Sequence, residues 1–254
     1  MKSKQADVAR LFHQHSRHER ARAPEMTADW DARPVHFRTY PGSQRTPLPG
    51  RDLDLGATLG DVIARRRSIR DYELGPLPLA TLGRLLHGTY GVKGKQAGDG
   101  PFLSRPTPSA GGLYPIEMYV AVQSVEGLDD GIYHYDPQAH ELELRRPGLA
   151  QPAIARISLD QTMVLAASVV VILTAIPERT MWKYGQRGFR YVWLDAGHIG
   201  QNLYLVGSAL GLGAVGIGGF FDVELNELCD LPAGEEAIYL VCLGRPDPAK
   251  EVVE

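Results

Sequence analysis

The chain has 254 residues, 44% hydrophobic and 22% charged, enough for one sizeable core and ordinary for a globular protein. Its formal net charge of −3 gives no reason to expect nucleic acid or an anionic membrane as partner, and no apolar run approaches the ~18 residues that span a bilayer. Two cysteines in no metal-ligand spacing, Cys229 and Cys242, and an N-terminus without an apolar signal core point to a reducing cytoplasm.

Residues 1–50 differ from the rest. Segment 8–20 has amphipathic spacing and reads as a helix; Pro24, Pro34, Pro41, Pro47 and Pro49 then mark an extended arm. Trp30, Phe37 and Tyr40 are its expected anchors, because spaced aromatics need somewhere to be buried. From 51 to 254 the pattern is that of one domain. Segment 58–67 reads as a helix with Thr58 as N-cap, and 78–87 as a second, with Pro78 at its first position and Gly88 ending it. Residues 91–107, rich in Gly and Lys, read as a mobile loop. Strands are expected at 116–125, 132–135 and 141–144, with a central, doubly covered strand at 169–176. A major core helix follows at 189–210, then strands at 214–217 and 237–243 separated by a short helix at 222–231. Helices and strands mix without strict alternation, which predicts an α+β layered domain.

Five segments are candidates for carrying chemistry. Arg66, Arg67, Ser68 and Arg70 concentrate fork-shaped cationic donors and a hydroxyl, a set suited to a phosphate, although a basic helix end alone would look the same. The run Pro108-Ser109-Ala110-Gly111-Gly112 lets backbone amides approach a flat ligand closely, or serves simply as a tight connection into the next strand. Residues 211–216 match GxGxxG, but here the run follows a helix and enters a strand, the reverse of the dinucleotide-binding context, so that reading is rejected. Arg245, just past the last strand, could complete a phosphate site or be a surface arginine. Finally, Lys183-Tyr184 pairs a potential base with a phenol beside Arg187 and Arg190, whose charges could favour the neutral amine; by composition alone this is a surface lysine beside a half-buried tyrosine. His13, His15 and His18 could put two imidazoles on one helical face, but no carboxylate or cysteine partner recurs with ligand spacing, and no metal is expected.

The arginine cluster, the string from Pro108 to Glu117 and the stretch from Met181 through Lys183-Tyr184 to Asp195-Ala196-Gly197-His198 together resemble the FMN-dependent nitroreductase superfamily, in particular its SagB-type azoline dehydrogenase branch. The resemblance extends to the arm residues Asp29-Trp30, Arg33-Pro34 and Tyr40-Pro41. It implies a three-layer fold, a mostly antiparallel sheet flanked by helices, and an intertwined homodimer. It also implies that Arg66, Arg67, Ser68, Arg70 and Arg245 hold the FMN phosphate and ribityl chain, and that Pro108 to Gly112 reach flavin bound mainly by the other subunit. Gly216, Ile217, Gly218 and Gly219 would present amides to the ring, while Lys183 would act as base and Tyr184 as proton relay. The implied activity is oxidation of a thiazoline or oxazoline to an azole in peptide natural-product biosynthesis, alongside a cyclodehydratase or non-ribosomal synthetase. The alternatives are an NAD(P)H-dependent nitro or quinone reductase and a flavin-bearing structural subunit. The length leaves little room for the extra N-terminal region of longer members, so substrate recognition is expected from a partner protein or a carrier-tethered substrate.

Overall fold

A computed structural model of the chain describes residues 2–20, 33–52, 54–95 and 103–250. Its centre is a seven-stranded sheet. In chain order the strands and helices are α1 (Lys2–His15), β1 (Arg45–Pro47), α2 (Leu59–Arg65), α3 (Leu79–Tyr90), β2 (Gly94–Lys95), β3 (Leu103–Ser104), β4 (Ile116–Val122), β5 (Gly131–Asp136) and β6 (Glu141–Pro147). They continue with α4 (Gln151–Ile157), α5 (Met163–Ala166), β7 (Val169–Ala175), α6 (Glu178–Tyr184), α7 (Gly188–Ala209), β8 (Gly213–Ile217), α8 (Asp222–Leu228) and β9 (Glu236–Gly244). The order across the sheet is β1-β6-β5-β4-β7-β9-β8, and each neighbouring pair is antiparallel.

The three layers follow from the period of two along buried strands. Met118, Val120 and Val122 of β4, with Val169, Val171 and Leu173 of β7, pack on one face beneath Leu82, Leu85 and Leu86 of α3 and Val192, Ile199 and Leu203 of α7. Tyr119 and Ala121, with Val170 and Ile172, face the other way against Ile154 of α4, Val164 of α5 and Leu225 of α8. Both faces of β7 are covered, so its continuous β-branched run is the central strand that the sequence predicts. This is the expected α+β, three-layer architecture.

Several boundaries differ from expectation. The first helix covers Lys2–His15 rather than 8–20. Pro78 is the N-cap of α3, and the helix runs past Gly88 to Tyr90, because Gly88, Thr89 and Tyr90 are all buried and packing outweighs glycine's helix penalty. Thr58 caps α2 as predicted, accepting a hydrogen bond from the Asp61 N–H. Within 91–107, β2 pairs with β3; residues 96–102 lie outside the described residues, as does the expected anchor Trp30. Lys183 and Tyr184 are the last two residues of α6.

The arm is part of the sheet. β1 pairs with β6, and upstream of it the backbone N–H of Arg38 donates to Glu117 and that of Tyr40 to Glu143. These glutamates clamp His134, whose Nε2 lies 3.0 Å from Glu117 and Nδ1 2.9 Å from Glu143, both within the buried interior. Arg179 reaches Glu117 at 2.5 Å and the Val35 carbonyl at 2.9 Å. Although burial opposes it, hydrogen bonding to the two carboxylates raises His134 to about 9. Burial likewise opposes ionisation of Glu117, yet Arg179 and His134 hold it at about 2. Glu117, last residue of the recognised string, is thus the hub that ties the arm to the domain. Phe37 lies under the Arg105 guanidinium, which also stacks on Tyr90 and Tyr114 at 4.2 and 4.5 Å. No helix among the described residues is long and apolar enough to cross a membrane.

Candidate active site

Two clusters meet the long helix α7. The first begins where α2 stops. Arg66 is its C-cap, and the chain then turns alongside β8, where Ser68 forms a bridge with Ala214 and the Ile69 N–H donates to the Ala214 carbonyl at 2.9 Å. A cavity of about 320 Å³ opens there, lined by Arg65, Arg66 and Arg67, Tyr204 of α7, the 211–214 turn and Pro246. Tyr204 organises it: its ring lies 5.7 Å from the Arg66 guanidinium, and its hydroxyl is 3.3 Å from Ser68 Oγ. The Gly216 N–H donates to that same hydroxyl at 2.7 Å. Three guanidinium forks around a concave, partly open space are a donor set that fits a phosphate.

The second cluster is the 108–114 loop. Gly111 and Gly112 have φ of +63° and +66°, and Tyr114 has φ of +46°. The Ser109 hydroxyl accepts from the Tyr114 N–H at 2.8 Å and donates to Asp195 Oδ2 at 2.5 Å. Asp195 sits on α7, 5% exposed, and also accepts from the Ala110 N–H. Burial, opposed by these two hydrogen bonds and by His198, raises its carboxyl to about 6. Gly111 is where the lysine-tyrosine pair arrives: a Cβ added there would stand 2.5 Å from Tyr184 Oη and 3.1 Å from Lys183 Nζ. Desolvation raises the Tyr184 phenol, reinforced by Tyr191 and Asp195, so it is a protonated donor at neutral pH. Its ring packs edge-on to Tyr191, with centroids 5.1 Å apart.

The structure therefore brings Arg66 and Arg67 to one cavity, with Ser68 beside its Tyr204 wall, and Gly111 of the 108–112 loop to Lys183 and Tyr184. Tyr204 and Asp195 anchor these clusters on one helix, nine positions apart, or about 14 Å of rise. Other expected residues are placed differently. Arg70 and Pro108 are exposed and outside the cavity lining; Arg245 is exposed, its carbonyl accepting from the Glu73 N–H, and Pro246 takes the lining position. The Ile217 side chain is buried against the α8 layer, and Gly216 has already given its N–H to Tyr204. Gly218 and Gly219 are exposed just beyond β8. Arg187 and Arg190, the cations nearest Lys183 in sequence, have their hydrogen bonds elsewhere. Their guanidiniums bind the end of α1, Arg187 through the Ser16 carbonyl and Arg190 through Ser16 Oγ and the His13 carbonyl.

The sequence assigns no role to Tyr204, and none to Asp195 although Asp195 lies in the stretch that carries the resemblance. Tyr204 reads as one more aromatic on a core helix and carries no signal. Asp195 does: it is a carboxylate on the buried stripe of Val192, Ala196, Ile199 and Leu203. A charge in that position needs partners.

Residues 63–245 match the model of the nitroreductase family. The chain belongs to the nitroreductase family. Within it, MJ1384 of Methanocaldococcus jannaschii, which carries a nitroreductase name, is 38% identical over 187 residues, 74% of this chain and 90% of that protein. The microcin B17-processing protein McbC of Escherichia coli is 29% identical over 186 residues, covering 70% and 66%. Among solved structures, the E. coli microcin synthetase McbBCD complex with truncated pro-MccB17 bound contains a chain of the same fold, with TM-score 0.63 and 21% identity, covering 95% of this chain and 92% of that one.

Proposed function

We propose that this member of the nitroreductase family binds FMN and oxidises thiazoline or oxazoline rings to azoles during the maturation of a peptide natural product. The observation that carries the reading is the convergence of Lys183 Nζ and Tyr184 Oη on Gly111 of the 108–112 loop. A flavin binder whose task is only to pass electrons to a nitro group or quinone has no need of such a pair. Aromatising an azoline removes a proton from one ring carbon and a hydride from its neighbour, two electrons in all. FMN, when bound, supplies the hydride acceptor, and oxygen or another oxidant restores it.

The remaining work falls to the chain. Arg66 and Arg67 would hold the cofactor phosphate, with Ser68 and Tyr204 shaping the wall beside them. The backbone of 110–112 would approach the flat ring of a flavin bound mainly by the other subunit. Lys183 Nζ takes the ring proton, and the protonated Tyr184 phenol donates a hydrogen bond that orients the substrate or relays the proton onward. Similarity to McbC, a microcin-processing protein, supports a peptide substrate, and similarity to a chain of the McbBCD complex supports work beside a cyclodehydratase or non-ribosomal synthetase. A second copy of the chain would cover the exposed Leu59 and Ile63 of α2 and Trp193 and Leu194 of α7, which supports the homodimer.

The similarity to MJ1384 favours a second reading, NAD(P)H-dependent reduction on the same cofactor site. Incubating purified protein with a thiazoline-containing peptide under air separates the two. The azoline reading expects accumulation of the thiazole, read by mass and by absorbance, and its loss in Lys183→Ala. Rapid NADPH consumption with a nitroarene, undiminished in Lys183→Ala and with no thiazole formed, would replace it with the reductase.

A further inference from the structure

Asp195 is buried on a helix otherwise apolar at that level, and its surroundings disfavour its charge. A carboxylate retained under those conditions, when an asparagine would fit, calls for an explanation. Both of its described hydrogen bonds go to one place, the Ser109 hydroxyl and the Ala110 N–H. These residues open a loop with left-handed backbone at three of its next four positions, Gly111, Gly112 and Tyr114. Such a loop keeps its shape only when something outside it holds it. The Ser109 hydroxyl passes the constraint on through the Tyr114 N–H, so Asp195 grips both ends of the turn. At its apex a Cβ on Gly111 would meet the tips of Tyr184 and Lys183, which would have to move aside to admit it. The position of the loop and the position of the pair are one geometric quantity.

We propose that Asp195 is a positioning residue: by holding Ser109 and Ala110 it keeps Gly111 against Lys183 and Tyr184, and so fixes the proton-handling pair relative to the loop. Its role in catalysis rests on the azoline reading above; its role in holding the loop does not. The titratable groups facing Asp195 are Tyr184 from α6, Tyr90 from α3 and His198 from its own helix. The two tyrosines are raised by burial and stay neutral through the range of interest. Titration of Asp195 is thereby separable from theirs, and at low pH the carboxyl loses its capacity as a charged acceptor.

Asp195→Asn mimics the protonated acid at every pH, which makes the test direct. Amide hydrogen exchange of 109–114 is followed from pH 5 to 8 on the full chain, with rates corrected for intrinsic exchange. In the wild type, protection should fall by about tenfold as pH drops through the Asp195 transition, the loss of roughly one charge-assisted hydrogen bond. In Asp195→Asn protection should be low and flat, and Ser109→Ala, which keeps the carboxylate but removes one grip, should lie between them with the pH dependence retained. With flavin-loaded protein, Asp195→Asn should lower the kcat for azoline oxidation about tenfold while KM changes little. Equal protection of the segment in wild type and Asp195→Asn across the range would overturn the proposal. If the exchange results hold but no azoline is oxidised by the wild type, the positioning role stands and the azoline reading falls.

Discussion

Gly111→Ala separates what the 108–112 loop does for stability from what it does for chemistry. The new methyl must adopt φ of +63°, and it would sit 2.5 Å from Tyr184 Oη and 3.1 Å from Lys183 Nζ. A left-handed conformation costs alanine about 1–2 kcal/mol relative to glycine. The steric part adds little to folding, because both contacts are the free ends of long side chains that can swing aside. For a chain of this length, that corresponds to a Tm lower by about 2–8 °C. Catalysis should suffer far more. A displacement of about 1 Å in reacting groups can reduce a rate ~100-fold, and here both members of the pair are pushed off the loop. Gly127→Ala is the matched control: φ there is +72°, with nothing within 4 Å of the added Cβ, so it carries the same backbone cost without the collision. Differential scanning calorimetry on both variants, with thiazole formation measured in parallel, gives the two quantities. The expected result is similar melting shifts and a rate loss confined to Gly111→Ala. Equal rates in the two variants would refute the placement of the pair against the loop.

The His134 clamp predicts a pH-dependent arm. Since the folded state raises His134 from 6.5 to about 9, its contribution is complete below pH 6.5 and disappears as pH rises through 9, about 3 kcal/mol in all. Glu117, depressed to about 2, contributes above pH 4.5 and loses that contribution as pH falls toward 2. His134→Gln leaves two carboxylates facing each other in the core and should cost about 3–5 kcal/mol at pH 7, with a Tm that no longer declines between pH 7 and 9.5. Asp195 has the same sign as His134 and the opposite one to Glu117. Its folded value of about 6 lies above the unfolded 3.8, so stability falls as pH climbs through that window, by about 3 kcal/mol, and Asp195→Asn should melt no lower than wild type at pH 7. Arg66→Ala and Arg67→Ala should each weaken FMN binding about 10- to 100-fold by fluorescence titration, and the affinity that remains should depend less on salt.

The sequence made the layering legible because it rests on local pattern: the unbroken 169–175 run could only be a doubly covered strand, and the 188–209 stripe only a core helix. The short helices α4 and α5 were not legible, since seven and four residues give periodicity too little room. The end of α3 was misread because Gly88 punctuates locally, whereas burial of Tyr90, whose hydroxyl reaches the Ile116 carbonyl, decides the matter from across the chain. In the candidate site, glycines, arginines and the Lys183-Tyr184 pair announce themselves by residue type. What they touch does not. Arg187 and Arg190 sit three and six residues after Tyr184, yet both turn to the α1 terminus, some 170 positions away in the chain. Tyr204 and Asp195 matter through partners that no spacing rule connects to them.

The most direct test of the central claim is a single anaerobic turnover. Flavin-loaded protein is mixed with a thiazoline-containing peptide without NAD(P)H, and the oxidised flavin absorbance is followed. The account predicts bleaching with one thiazole formed per flavin reduced, and neither in Lys183→Ala although that variant binds flavin normally. Flavin that stays oxidised with the peptide but bleaches at once with NADPH, equally in wild type and Lys183→Ala, would contradict it.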